Sequence, residues 1–88
     1  MSGGAFDYKQ YELDYMGDVL EHWITTNPER LEEGYGYQPH TVAEFKTALL
    51  MVRAARVYLQ RIDWLVSGDD GEETFHRRLL EELNELSK

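Results

Sequence analysis

The 88-residue sequence predicts an all-α fold, a single domain over residues 1–88 built as a small bundle of three main helices with one extra short helical turn. Three observations point there. Apolar residues recur at three- and four-residue spacing over most of the chain, which is the period of one helical face. No sustained period-two alternation occurs, and the Tyr-rich GYGYQPH (residues 34–40) is too short and too broken by Gly and Pro for a strand. Gly and Pro fall where they cut the chain into pieces of helix length.

The first helix is expected to open at Asp7 or Tyr8 and to end at Thr25. Leu13, Met16, Leu20, Trp23 and Ile24 form its apolar stripe, and Tyr8, Tyr15 and Val19 widen it. Asp7 suits a cap, because its carboxylate can accept backbone N–H bonds from the first turn. Asn27-Pro28 reads as a stop followed by a new start, since Pro tolerates the first helical position, where its missing N–H is not needed. That gives the extra turn, residues 29–33, closed by Gly34.

TVAE (residues 41–44) matches a capping box, with Thr41 and Glu44 serving each other's free N–H groups. No Pro or Gly then interrupts the chain before Gly68. The central helix is therefore some 25 residues, roughly 38 Å long. Phe45, Ala48, Leu49, Val52, Ala55, Leu59, Ile62 and Val66 share one face, and Lys46, Arg53, Arg56 and Gln60 cluster on the other. A last helix opens near Asp69 or Asp70 and carries Phe75, Leu79, Leu80, Leu83 and Leu86. Leu50, Met51, Val57, Tyr58 and Leu65 extend the apolar surface of the central helix beyond what two shorter helices cover. A homo-oligomer would cover it, as would the Tyr-rich loop folded over it.

A chain this short buries only about two-thirds of the surface it exposes when unfolded, so a monomeric core is marginal. Cysteine is absent, which excludes disulfides and thiolate metal sites. The opening MSGGAFDYKQ has neither a basic nor an apolar signal region, and no apolar run approaches the roughly 18 residues of a membrane span. A cytoplasmic protein is the expectation. The net charge of −8 is unevenly spread: −7 over residues 1–44, +4 over 45–62 and −5 over 63–88. Such a field repels a duplex nucleic-acid backbone but leaves a short basic band between acidic ends.

That band holds the best candidate site. Arg53, Arg56, Gln60, Arg61 and Trp64 could offer guanidinium groups to an anion and an indole to a base, with Tyr8 and Tyr11 as further aromatic walls. The same arginines could instead pair with the acids of the flanking helices. SGDDGEE (residues 67–73) is the other distinctive segment. Ser67, Gly68, Asp69 and Asp70 could hold a cation, an amine or ribose hydroxyls, or could simply cap a helix and complement its dipole. The segment lacks the ligand ladder of a calcium loop. Glu73 and His76 form one E-x-x-H pair, whereas a di-iron bundle needs two such pairs and two more Glu, so no metal or cofactor is expected. No nucleophile–His–acid pattern, P-loop or dinucleotide fingerprint is present, and catalysis is not expected.

The opening MSGGAFDYKQY and the run QRIDWLVSGDDGEETFHRRLLEEL together resemble a family of small uncharacterised proteins encoded in phages, prophages and diverse bacterial genomes. The resemblance covers roughly 35 of the 88 residues, at both ends and the second half of the central helix. It implies a setting, a mobile-element accessory protein, and no site residue. It also directs attention to Ser2, Gly3 and Gly4: if the first and central helices are antiparallel, these residues lie beside Trp64 and Ser67, where Gly allows close backbone approach. The expected function is binding of a host protein through an acidic helical surface, with an anti-defence role. The alternative is sequestration of a nucleotide-type ligand by the Arg and aromatic residues.

Overall fold

Several helix boundaries differ from what spacing alone suggests. The computed structural model describes residues 4–87. A 3-10 turn, Lys9–Tyr11, leads into α1, Glu12–Glu32; α2 spans Pro39–Val66 and α3 spans Glu72–Leu86. No strand occurs among the described residues.

The extra turn expected after Asn27-Pro28 is not a separate element, because α1 runs through Pro28 to Glu32. An internal Pro removes one helical hydrogen bond and crowds the carbonyl four residues back, for about 3 kcal/mol. Tertiary contacts outweigh that preference. Asn27 does not cap a new helix; its amide Nδ2 donates to the Tyr37 carbonyl at 2.9 Å and its Oδ1 accepts from the Tyr37 N–H at 2.8 Å. Pro28 and Leu31 share an apolar crevice with Pro39 and Val42. The short extra element lies instead at the 3-10 turn. Asp7 does not cap a helix either: Asp7 (φ 53°) and Tyr8 (φ 63°) are both left-handed and fold the chain's start back on itself.

Two helix ends are closed alike. Gly34 (φ 96°) and Gly68 (φ 85°) take the left-handed position after α1 and α2. The next N–H, of Tyr35 or Asp69, reaches back to Arg30 or Trp64 at 3.0 and 2.9 Å, satisfying a terminal carbonyl. The capping box at Thr41 and Glu44 does not form: α2 begins three residues earlier, with Gln38 and not Thr41 at the cap position, Pro39 in its first turn and the Thr41 N–H on the Gln38 carbonyl at 2.9 Å. Asp69 and Asp70 likewise do not cap α3, which starts after Gly71 without a side-chain cap.

α1 and α3 both lie against α2 and not against each other. The result is an open layer, 52 × 27 × 13 Å, with a radius of gyration of 16.4 Å. A compact chain of this length has a radius near 12 Å. The basic side of α2, with Arg53, Arg56 and Gln60, docks on α1 and the 3-10 turn before it through ion pairs and hydrogen bonds. Consequently the α2 apolar stripe stays partly bare: Ala48, Val52, Ala55, Leu59 and Ile62 are half-buried and Val66 is exposed. Val42 is the one buried apolar side chain among the described residues.

Candidate functional site

Burial in this chain selects polar groups. Gln10, Asn27, Gln60, Arg61 and Asp63 are all buried. A buried polar group without a partner costs about 1–3 kcal/mol, so such residues require a network. Asp63, near the end of α2, is its centre. Its Oδ1 accepts from the Ala5 backbone N–H at 2.8 Å and from the Ser67 hydroxyl at 3.3 Å. Its Oδ2 accepts from Gln10 Nε2 at 2.9 Å. The Ala5 N–H holds the Asp63 carboxyl below its ordinary range, burial opposes that, and Gln10 and Ser67 add to the lowering. Gly4 packs on the same carboxylate so closely that a Cβ there would lie 2.4 Å from Oδ1.

The network continues along α2. Gln10 Nε2 also lies 3.4 Å from Gln60 Oε1, which accepts from Arg56 Nη1 at 3.2 Å. Arg56 Nε in turn donates to Asp14 Oδ2 at 3.2 Å, and its guanidinium sits 4.4 Å over the Tyr11 ring. One turn further, Arg53 Nη2 meets Asp18 at 3.0 Å and Glu21 at 3.8 Å. Gly17 makes room for it, since a Cβ there would stand 2.6 Å from Arg53 Nη1.

Arg61 points to the α3 side. Its guanidinium lies 4.1 Å from the Trp64 ring centre, with Asp70 at 3.5 Å and Glu82 at 3.6 Å. Neither Arg61 Nε nor Asp70 Oδ2 makes a directed hydrogen bond although both are buried. These side chains, with Asp69, Thr74 and Arg78, line a cleft of about 510 Å³.

The expected site residues therefore separate into two groups. Tyr8, Tyr11, Arg53 and Arg56 stand at the α1 side, where Tyr8 and Tyr11 are 6.3 Å apart between ring centres. Arg61, Trp64, Asp69 and Asp70 stand at the cleft, while Ser67 belongs to the Asp63 network and Gly68 shapes the end of α2. Gln10, Asp14, Asp63 and Glu82 were not singled out in the sequence. Asp63 and Ser67, four apart, and Arg56 and Gln60, four apart, were the available signals, since such pairs meet on a helix. Gly4 does lie at the end of α2, on Asp63; Ser2 and Gly3 fall outside the described residues.

Fold and site together define a small all-helical protein whose interior is a hydrogen-bonded polar network. Comparison of the chain with protein-family models, curated proteins and solved structures gives no match. Among the described residues no helix is long and apolar enough to cross a membrane. Nor do three His, Asp or Glu side chains converge as a metal-binding group there; His76 instead packs edge-on against Phe75, ring centres 5.1 Å apart. Adding EDTA is expected to leave the melting midpoint unchanged. A downward shift of several degrees would reveal a metal on Glu73, His76 or the acidic loop.

Proposed function

We propose that the chain is a non-catalytic binding protein, an accessory protein of a phage or other mobile element, that engages a host protein through its acidic helical surface. It acts in the host cytoplasm, as a homo-oligomer, without cofactor, and against neither duplex nucleic acid nor membrane. An anti-defence role fits the setting that the resemblance suggests. One observation carries this reading: Arg53, Arg56 and Arg61 each face carboxylates of the flanking helices, whereas Glu12, Glu29, Glu32, Glu33, Glu72, Glu73 and Glu81 are exposed. These three cations are turned inward, and on the exposed surface of the described residues acids outnumber the remaining bases, Lys9, Arg30, Lys46, Arg77 and Arg78. An outward acidic field steers a basic partner and makes association salt-dependent.

The cleft at Arg61 and Trp64 favours a second reading, sequestration of a nucleotide-type ligand, because its volume of about 510 Å³ suits a small molecule. Calorimetry separates the two. With a panel of nucleotides and cyclic dinucleotides, wild type and Arg61→Gln are both expected to give no heat. Micromolar binding by wild type that Arg61→Gln abolishes would replace the first reading by the second, since Arg61 lines the cleft and Arg56 does not. For the host partner, reversing Glu29, Glu32 and Glu33 to Lys should weaken binding and flatten its salt dependence. Unchanged affinity would remove the acidic surface from the mechanism.

A further inference from the structure

We infer that a second copy of this chain covers the bare apolar face, with α2 lying across its counterpart about a two-fold axis. The inference rests on the self-association in the proposed function and is independent of the host partner. Lys46, Arg53 and Glu21 line a groove on one side of the layer, together with Glu85 and Leu86 of α3. At 100° per residue, Ala48, Val52, Ala55, Leu59, Ile62 and Val66 point to the other side, while Leu49 lines the groove. Trp23 joins it there, its ring 6.4 Å from that of Phe45, and Met16 follows from the same flank of α1. On α3, Leu80 is turned away from Glu85 and so toward this side, where it is 62% exposed.

Domains form when two layers of secondary structure enclose a core, and this chain supplies one layer, 13 Å thick. Its face measures 52 by 27 Å. A stable interface takes about 800 Å² from each partner, a little over half of such a rectangle. Charge selects the occupant. Among Ala48, Val52, Ala55, Leu59, Ile62 and Val66 no charged residue of α2 intervenes; Arg56 and Asp63 at the edge of this strip, and Arg53 and Arg61 beyond it, are engaged with other elements, and Lys46 lines the groove. Two chains of charge −8 repel over most of their surface and can approach where the α2 strip at the centre of this face carries no charge. Ala48 and Ala55, two turns apart, let two α2 helices come close, and a self-complementary patch closes as a two-fold dimer.

Native mass spectrometry at tens of micromolar should give twice the chain mass of 10.3 kDa. Ala55→Glu puts like charges opposite each other and should raise the dissociation constant by about 100-fold or more. Because the chain has no cysteine, Ala55→Cys provides a second measurement that leaves the charge unchanged. A short bis-maleimide should link two Ala55→Cys copies and should not link two Lys46→Cys copies, whose labels lie on the grooved side. A monomeric wild type, an Ala55→Glu variant that dimerises as tightly as wild type, or linking through position 46 and not 55 would each overturn the inference. Loss of host-partner binding with an intact dimer would count against the proposed function alone.

Discussion

Replacing Asn27 by Ala is expected to destabilise the chain by about 2–4 kcal/mol, because it removes two hydrogen bonds and leaves the Tyr37 N–H and C=O without their partner. Asn27 is buried, so water does not freely replace the lost amide. The bridge also spans the connection between α1 and α2, which holds the two longest helices in register. Asn27→Asp is the informative companion: it keeps an acceptor for the Tyr37 N–H and opposes the Tyr37 carbonyl with a second oxygen. Urea unfolding followed by circular dichroism should rank wild type above both variants. An Asn27→Ala midpoint equal to wild type would mean that the connection is held by the packing of Tyr37 on Phe45, ring centres 5.4 Å apart, and not by the bridge.

The second large effect is acid sensitivity centred on Asp63. Its folded carboxyl titrates below the unfolded value, chiefly because Ala5 donates to the ionised form. The stabilisation is therefore complete above the ordinary Asp range near 4 and is lost as pH falls through the lowered folded value. Asp63→Asn removes it at every pH. The variant should unfold at lower urea than wild type at neutral pH, and the gap should close in acid. Its N-terminal segment should also exchange amide protons faster, because Asp63 anchors the turn in which Asp7 and Tyr8 are held left-handed. Left-handed backbone costs about 1–2 kcal/mol per ordinary residue, so it relaxes once the anchor is gone. A constant gap between the two proteins from neutral to acid pH would show that Asp63 acts by shape and not by charge.

Arg53, Arg56, Arg61 and Trp64 were visible because cationic and aromatic residues at helical spacing form a recognisable band. That the band could meet carboxylates was visible too, from the −7 and −5 of the flanking segments. Which acids would do so was not. Asp14 and Asp18 are two of nine acids before residue 45, and only the docking of α1 on α2 selects them. Gln10 was invisible for a related reason: an uncharged polar residue beside a helix start carries no periodic signal, yet it is the most buried side chain of the network.

Helix identity was largely legible from the chain alone. Spacing of apolar residues, together with Gly34 and Gly68 as left-handed stops, depends on interactions within a few residues, and these are the same in any context. Asn27-Pro28 misled because Pro at a helix start and Pro within a helix look identical locally. The difference lies in Tyr37, ten residues away, which takes up the Asn27 amide. The choice of face on α2 was likewise beyond local reading. Periodicity separates an apolar side from a basic one and assigns the apolar side to the interior by default. Here the acids of α1 reach Arg53 and Arg56 and claim the basic side, so the apolar stripe is left only half-covered. Within one helix the sequence determines which residues share a face; which face is covered is decided by the charges and shapes that the other helices bring to it.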